Sequence, residues 1–444
     1  MATAARLVLW HTLVQEREPK AAMQRRSFLK SALKGAGGAL TAGAIGFPAI
    51  VRAVNAPPVI RVVGTHVTLQ ETLRRRAEEE LGIRIEFYPG GSAEVLLKAS
   101  TDPEAFDLYE QWSNSIRVLW QAGAIQPIET RRLRYWEEIN SLAKTGRIAP
   151  EARLGAGDAP YRILFIQPDG SLGSNDTGQI TFLPYVHNTD SLGYNAAVIE
   201  PGIPYETESW GWLLDERHRG RVAIVNAPTI GLFDLALAAQ GRGLMDFADI
   251  GNMTREEVDE LFSILASYKR QGHFRGVWTS VPHSVRLMAS GQVDVQSMFS
   301  PGVSTLKGMG IPCIYAAPRE GYRAWHGVMC LSSACEGERQ EAAYAFMNWW
   351  LSGWPGAFIA RQGYYISNPQ RARQHMSEAE WDYWYAGKPA AEPLYGTDGN
   401  VSVQPGEVRT GGSYERRFSN IAVWNTVMPV YEYTLSKWSE FLLA

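Results

Sequence analysis

The sequence has few cysteines, no excess of either charge and no apolar run long enough to predict a membrane span. Among 444 residues there are three cysteines, Cys313, Cys330 and Cys335. This small, odd number excludes a disulfide scaffold and favours buried thiols, with a Cys330–Cys335 bridge left open. The formal net charge is −3, with acids and bases interspersed, which predicts neither nucleic-acid binding nor a polybasic membrane patch.

The motifs of common enzyme classes are also missing. The sequence contains no Gly-x-Ser-x-Gly elbow, no HExxH pair and no phosphate-binding Gly-x-x-x-x-Gly-Lys stretch. No CxxC pair or His/Cys cluster has zinc spacing. We therefore predict no metal site, no cofactor and no enzymatic activity. A secreted hydrolase with a dispersed catalytic triad is the alternative.

The N-terminus carries the most specific local pattern. Arg25-Arg26-Ser27-Phe28-Leu29-Lys30 precedes a weakly apolar run rich in Gly and Ala, and small residues follow. This order describes an export signal, and the paired arginines resemble a twin-arginine (Tat) signal. We expect residues 1–53 to comprise an upstream extension and this signal, with translation starting at Met23. Cleavage is expected after Ala53, or alternatively after Ala56, with export to the bacterial periplasm.

Beyond the signal, strand and helix patterns alternate in two blocks. The first block contains strands at Val59–Val63 and Phe106–Glu110, and the second has a strand at Arg221–Val225. Thr254-Arg255-Glu256-Glu257 is a capping box that predicts the start of a long helix. Such alternation predicts an α/β fold with parallel, doubly wound sheets.

Two segments are predicted to cross between the blocks. Phe182–Asn195 passes from an apolar run through a polar, aromatic middle, and Trp325–Leu331 has the pattern of a returning strand. We therefore expect two doubly wound α/β lobes joined by crossover strands, with a cleft between them. The expected boundaries are 57–184 with 326–375 for lobe 1, and 185–325 with 376–444 for lobe 2.

Several passages together resemble a known family. They are Phe106–Glu110, Leu183-Pro184-Tyr185 with Leu192-Gly193-Tyr194-Asn195, and Gly363-Tyr364-Tyr365-Ile366-Ser367-Asn368. They resemble the extracellular solute-binding proteins of ABC importers, most closely the spermidine/putrescine-binding branch with the class II periplasmic-binding-protein fold. The resemblance implies a monomer whose lobes close around a small-molecule ligand and deliver it to an inner-membrane ABC permease.

The resemblance also implies ligand-binding positions, at loops that follow strands and on the returning strand. These are Thr65, His66, Trp112, Ser113, Asn114, Thr229, Phe299, Ser300 and Trp325. The crossing segments and the polar tail add Tyr185, His187, Asn188, His326, Arg409 and Trp424. For Ser113, capping of the following helix is an equal alternative.

The candidate cleft departs from a polyamine site. Thr229 and Gly327 stand where the polyamine-binding branch places carboxylates. Desolvating an ammonium costs several kcal/mol, whereas each cation–π contact returns only about 0.5–2 kcal/mol. Asp190 and Asp234 are nearby carboxylates that offer compensation, with capping or surface roles as the alternative.

Arg409, followed by a glycine-rich turn, is expected to be a solvated arginine, with a charged donor for an acidic group as the alternative. If this loop reaches the cleft, a zwitterionic or anionic organic solute fits better than a polyamine. Because the usual acidic positions are missing, we expect such a solute. Two other functions stay open for the same cleft, a periplasmic enzyme and an orphan ligand sensor that signals to a receptor.

Overall fold

The computed structural model describes residues 56–444. The predicted Tat signal, the start at Met23 and the cleavage site after Ala53 lie outside this range. Among the described residues, no helix is both long and apolar enough to cross a membrane.

The strands form one mixed sheet of 12 strands and two small antiparallel sheets. They are β1 (Val59–Gly64), β2 (Arg84–Pro89), β3 (Leu108–Trp112), β4 (Ile125–Gln126), β5 (Ile128–Glu129), β6 (Phe165–Ile166), β7 (Leu172–Gly173), β8 (Gln179–Ile180), β9 (Leu183–Asn195), β10 (Val222–Val225), β11 (Phe274–Trp278), β12 (Val295–Met298), β13 (Cys313–Tyr315), β14 (Tyr322–Ser332), β15 (Tyr365–Ile366), β16 (Leu394–Tyr395), β17 (Val401–Val403) and β18 (Ile421–Trp424). The main path of the large sheet runs β11-β10-β12-β9-β14-β3-β1-β2.

Helices follow most of the longer strands. They are α1 (Glu71–Leu81), α2 (Ser92–Thr101), α3 (Ile116–Gln121), α4 (Ser141–Thr145), α5 (Tyr161–Leu164), α6 (Pro228–Gly241), α7 (Arg255–Arg270), α8 (Val281–Ala289), α9 (Ser300–Gly308), α10 (Gly337–Trp350), α11 (Trp354–Ala360), α12 (Pro369–Arg373), α13 (Glu378–Trp384), α14 (Tyr414–Phe418) and α15 (Tyr431–Leu443).

The first lobe is built around the parallel strands β1, β2 and β3. Helix α1 buries Leu73 and Ala77, four residues apart, and ends at Gly82 in the left-handed conformation. This spacing places both side chains on one face of the helix, which packs onto the sheet. A large core of aliphatic and aromatic residues follows from this packing.

The second lobe repeats this arrangement with β10 parallel to β11 and β12. Helix α6 is buried almost all round, as expected for a helix enclosed in a core. Helix α7 starts with the predicted capping box, in which Thr254 and Glu257 exchange hydrogen bonds. The expected α/β class is therefore confirmed.

The strands β9 and β14 connect the two lobes. They are 13 and 11 residues long, and nearly all their residues are buried. Strand β9 pairs with β14 over part of its length and with β12 and β13 over its last residues. Strand β14 also pairs with β3 of the first lobe. One continuous sheet therefore runs through both lobes.

The tail that follows α12 adds a third core. Tyr365, Tyr385, Tyr414 and Phe418 pack together there. Helix α15 instead packs in the second lobe, where Trp438 and Phe441 contact Phe262.

The cysteines are buried and free. Cys313, Cys330 and Cys335 all pack among apolar side chains, and none forms a disulfide bond. The expectation of buried thiols is confirmed, and the open alternative of a Cys330–Cys335 bridge is wrong for this structure.

Candidate functional site

The antiparallel pair of β9 and β14 presents two different faces. Its register places Trp325 opposite Asn188 and Arg323 opposite Asp190. Directly opposed residues of an antiparallel ladder share a face, and successive residues alternate between faces. These four residues therefore lie together, on what we call the Trp325 face.

Aromatic rings from three segments line the Trp325 face. The ring centroids of Trp112, at the end of β3, and Trp325 are 4.5 Å apart. Tyr364, in the turn before β15, lies 5.6 Å from Trp325 on the same measure. The Phe299 ring, from the second lobe, has its centroid 6.0 Å from the guanidinium carbon of Arg323. Both lobes therefore contribute aromatic rings around this face.

A buried ion triad lies beside these rings. Arg323 donates to Asp234 at 2.6 Å and forms an ion pair with Asp190 at 3.4 Å. Asn425 accepts a further hydrogen bond from Arg323 at 3.1 Å, and Tyr315 donates to Asp190 at 3.0 Å. With both carboxylates ionised, the triad carries one net negative charge.

Burial dominates the acid–base behaviour of this triad. Desolvation raises the pKa of Asp190 to about 6, although Arg323 opposes the shift. Desolvation also raises the pKa of Asp234. For Arg323 burial acts in the lowering direction, but the two carboxylates prevail and raise its pKa. The arginine therefore stays charged, and both carboxylic acids release their protons at a higher pH than usual.

Several polar atoms around the Trp325 face have no protein partner. Asn188 is fully buried, and neither of its amide atoms has a hydrogen-bond partner among the described residues. The same holds for Ser113 Oγ, Asn114 Oδ1 and Glu110 Oε1 near the end of β3. Buried polar groups are nearly always paired in native structures. A ligand that enters here, or ordered water, would supply the partners of these groups.

Ser113 does not cap a helix. It starts a short 3-10 turn, Ser113–Ser115, and α3 follows with Ser115 as its N-cap. The alternative of a helix cap at Ser113 is therefore wrong, and its buried hydroxyl remains available to a ligand.

The other face of β9 and β14 carries the two histidines. His187 and His326 are opposite each other, with ring centroids 5.0 Å apart. His187 Nε2 is 2.8 Å from the hydroxyl of Tyr414, and its ring packs against Phe418. Burial lowers the pKa of His187 well below its usual value and that of His326 to about 4. Both are neutral at pH 7 and pack in the tail core, away from the Trp325 face.

Two further candidate residues do not join the Trp325 face. Trp424 is fully buried in the tail core. Tyr185 lies in the first-lobe core, where its hydroxyl donates to Thr68 at 3.0 Å. The structure therefore separates these two, together with His187 and His326, from the set around Trp325. His66 is exposed on the loop after β1, and its role in the site stays a prediction.

The remaining candidates lie near the junction of the lobes. Thr65 is buried and bonds Glu110 through its backbone N–H at 2.9 Å. Thr229 is half-buried in the first turn of α6, and Ser300 starts α9. Phe299, the N-cap of α9, packs edge-on against Trp278 with centroids 5.1 Å apart.

Arg409 reaches the junction of the lobes. Its side chain is stacked over Tyr365 and Trp384, and its Nη2 donates to the carbonyl of Gly363 at 3.0 Å. Gly363 in turn touches Ser300 of the second lobe, because a Cβ added to Gly363 would overlap Ser300 Oγ. The expected solvated turn is wrong, since only 8% of Arg409 is exposed.

The site offers neither a metal centre nor a recognisable catalytic constellation. In the part of the chain that the structure describes, no group of three or more His, Cys, Asp or Glu residues is arranged to hold a metal ion. The polar groups of the Trp325 face can donate, accept and counter charge. Such a set is suited to holding a polar solute between aromatic rings.

A family model described as bacterial extracellular solute-binding protein matches residues 72–383. The chain belongs to the bacterial extracellular solute-binding proteins. The resemblance in sequence is thereby confirmed, and this is a family of solute-binding proteins, not of enzymes. The matched range of this solute-binding protein includes the Trp325 face and ends before Arg409. No curated protein matches the sequence.

Solved structures of solute-binding proteins share the fold. PotD of Streptococcus pneumoniae, a spermidine/putrescine substrate-binding protein solved with calcium and HEPES, is 14% identical with a TM-score of 0.59, over 87% of this chain and 98% of its own. The TpPotD lipoprotein of Treponema pallidum is 11% identical with a TM-score of 0.60, and the match covers 87% of this chain and 100% of TpPotD. AgtB of A. tumefaciens, solved with agropinic acid, is 13% identical with a TM-score of 0.53, and the match covers 87% of this chain and 99% of AgtB.

Sequence reasoning on this solute-binding protein missed two residues of the face. Arg323 was not among the candidates, although it lies two residues before Trp325 on the same strand. The alternation of a β-strand places such residues on one face, which was the available signal. Tyr364 was missed because the conformation of the turn determines which of the two neighbouring tyrosines faces Trp325. Tyr364 does, whereas Tyr365 packs in the tail core.

Proposed function

We propose that this chain is the periplasmic substrate-binding component of an ABC importer. It captures a small polar organic solute on the Trp325 face and delivers it, as a monomer, to an inner-membrane permease. The observation that carries the proposal is Asn188, whose whole amide is buried without a partner beside Trp325. A ligand that fills this place supplies the missing hydrogen bonds.

The available contacts are sufficient for transport-level affinity. A micromolar dissociation constant corresponds to about −8 kcal/mol. Aromatic rings from Trp112, Trp325 and Tyr364 provide apolar area, and the unpaired amide and hydroxyl groups provide orientation. Because these donors and acceptors are already positioned, little ordering cost opposes binding.

The charges favour a solute that carries both signs. With both carboxylates ionised, the Arg323 triad has an excess negative charge, which suits a cationic group, and Arg409 offers a positive charge at the lobe junction. Among the structural neighbours, one was solved with agropinic acid and others are spermidine/putrescine-binding proteins. We therefore infer a zwitterionic organic solute, with an anionic one as the next choice.

The mechanism is closure of two lobes on a hinge. In this structure the lobes meet where Ser300 contacts Gly363, and Trp325 is only 5% exposed. We infer from these two features that this arrangement is the closed form. Opening separates the second-lobe groups, such as Phe299, from the Trp325 face and admits the solute.

The test is ligand binding by variants of the aromatic wall. Purified protein is screened by thermal shift against polyamines, amino acids, opine-like compounds and organic acids, since a ligand raises the melting temperature by mass action. Calorimetry then compares Trp112→Ala and Trp325→Ala, each expected to lose about 2 kcal/mol of binding free energy. Trp120→Ala is the control, because Trp120 bonds Gly170 at the surface of the first lobe.

Two results would contradict the proposal. Unchanged affinity in both wall variants would remove the Trp325 face as the site. Chemical conversion of the bound compound by the purified protein would make the chain an enzyme.

A further inference from the structure

Arg409 is a buried guanidinium without an acidic partner. Its side chain forms a single hydrogen bond, from Nη2 to Gly363, and Nη1 has no partner among residues 56–444. No carboxylate forms an ion pair with it in that range. Desolvation lowers its pKa, as expected where no anion compensates for burial. Buried charges are otherwise paired, so this one calls for a ligand.

The other two fully buried arginines show the contrast. Arg323 is held by two carboxylates. Arg417 has no carboxylate either, but it donates to Thr410 at 2.7 Å, to Thr189 at 3.1 Å and to Tyr322 at 3.4 Å. Arg417 is therefore satisfied largely by the fold. Arg409 is not, because the rings of Tyr365 and Trp384 offer only their faces.

Arg409 is connected to the Trp325 face through the turn that contains Gly363. Its partner Gly363 is followed directly by Tyr364, whose ring contacts Trp325. A Cβ added to Gly363 would lie 3.7 Å from Arg409 Nη2 and would also overlap Ser300 Oγ. Ser300 is the first residue of α9, a nine-residue helix. The positive end of this helix dipole and the guanidinium thus converge at the junction of the lobes.

We propose that Arg409 anchors a carboxylate of the ligand, together with the N-terminal end of α9 at Ser300. The cationic group of the same molecule then lies toward Asp190 on the Trp325 face. The ligand class is an amino-acid-like zwitterion, either a simple amino acid or an N-carboxyalkyl amino acid. This inference rests on the proposed function and assigns the direction in which the solute lies.

The arrangement also links recognition to closure. The carboxylate contacts Arg409 from the tail and α9 from the second lobe, so it bridges parts of the molecule that separate when the lobes open. A solute without a carboxylate leaves both the guanidinium and the helix end unpaired. Selectivity for carboxylated solutes therefore arises in the closed form.

The test uses matched pairs of compounds that differ by the carboxylate. Arginine and agmatine, ornithine and putrescine, and lysine and cadaverine are titrated by calorimetry, with N-carboxyalkyl amino acids and the corresponding amino-acid amides alongside. We expect a carboxylated member to bind, and its amine and amide counterparts to bind about 30-fold more weakly or not at all, as expected for a lost charged hydrogen bond.

Variants then assign the effect to Arg409. Arg409→Gln should weaken the carboxylated ligand about 30-fold and bring it level with its amide, while Arg409→Lys should restore part of the affinity. Arg416→Gln is the matched control, since Arg416 is an exposed arginine of the same segment. Unfolding curves of each variant establish that the fold is retained, and the amide comparison on wild-type protein requires no variant.

The outcomes separate this inference from the proposed function. Equal binding of an amine and its carboxylated partner, with Trp325→Ala still weakening both, would overturn the role of Arg409 and leave the cleft intact. Binding of no member of the panel would overturn the ligand class. A carboxylated ligand that is unaffected by Trp325→Ala and Trp112→Ala would instead contradict the proposed site.

Discussion

Arg323 holds two carboxylates from different elements, and all three side chains are buried. Asp190 comes from β9 and Asp234 from α6, while Arg323 comes from β14. A buried ion pair is weak evidence of stability, because desolvation offsets much of the attraction. The triad is better explained as a fixed charge distribution beside the ligand. Nη2 of Arg323 and Oδ2 of Asp234 are buried without partners, which leaves both groups able to bind further.

The titration of Asp190 gives a pH dependence of stability. Its pKa rises from 3.8 to about 6 in the folded chain, because of desolvation. Between these values the folded chain keeps a proton that the unfolded chain has released, so this group makes the free energy of unfolding fall as pH rises, down to a plateau above about 6. Asp190→Asn should remove this contribution, as measured by urea unfolding across the range.

Asp246→Asn serves as the control for this experiment, since Asp246 is exposed on the surface of the second lobe. Its unfolding free energy should follow the wild-type pH curve. An Asp190→Asn curve that is parallel to the wild-type curve would contradict the raised pKa.

Single residues were predicted unevenly from the sequence. Trp112, Asn188 and Trp325 do meet around one face, because strand ends and crossing strands are visible as patterns. His187 and His326 were placed with them, although neighbours on a strand point to opposite sides. Their burial in the tail core depends on Tyr414 and Phe418, which are more than 200 residues from His187 in sequence. Pattern analysis has no access to such contacts.

The helices were predicted better than the pairing of the strands, because helix caps and helical periodicity are local features of the sequence. The capping box of α7 is one example, with Thr254 accepting from Glu257 N–H at 3.2 Å and Glu257 accepting from Thr254 N–H at 2.8 Å. The short elements between residues 128 and 180 show the converse. They form a four-stranded sheet of two-residue strands, whose pairing is set by distant segments.

The capping box supports a prediction about α7. Thr254→Ala should lower the free energy of unfolding by about 1 kcal/mol, because the N–H of Glu257 loses its acceptor. Glu260→Ala is the control on the same helix, as Glu260 is exposed. Urea unfolding monitored by circular dichroism measures both. An equal effect of the two substitutions would show that the cap contributes nothing specific.

At the scale of the whole molecule, we expect closure of the two lobes to depend on the contact between Gly363 and Ser300. Gly363 has a φ of +85°, and an added Cβ would overlap Ser300 Oγ from the other lobe. Gly363→Ala should therefore keep the lobes apart, weaken ligand binding and increase the radius of gyration of the ligand-saturated protein. Small-angle scattering measures the radius, and calorimetry the affinity.

Gly399→Ala is the control for backbone strain. Gly399 has a φ of +80° and no neighbour within 4 Å of an added Cβ, so this variant imposes the same strain without the steric overlap. Comparable opening in both variants would attribute the effect to strain. If the Gly363→Ala protein closes and binds the ligand with normal affinity, the contact between Gly363 and Ser300 is not part of the closed form.

The α/β class could be predicted from the alternation of strand and helix patterns. The lobe to which the C-terminal tail belongs could not. Residues 376–444 were expected to belong to the second lobe. The structure shows α15 against that lobe and β18 paired with β14 in the central sheet. The division of the chain into lobes remains a prediction, because a tail that contacts both has no boundary in the sequence pattern.

The shared strands limit how this protein can be divided. Strand β14 pairs with β3 on one side and β9 on the other, and β9 pairs in turn with β12. A gene fragment that ends between them would encode a half with an unpaired, apolar sheet edge, which is a template for aggregation. Recombination that exchanges one half for that of a relative would break the same ladder. Changes in specificity must therefore arise residue by residue on the existing frame, rather than by shuffling of modules.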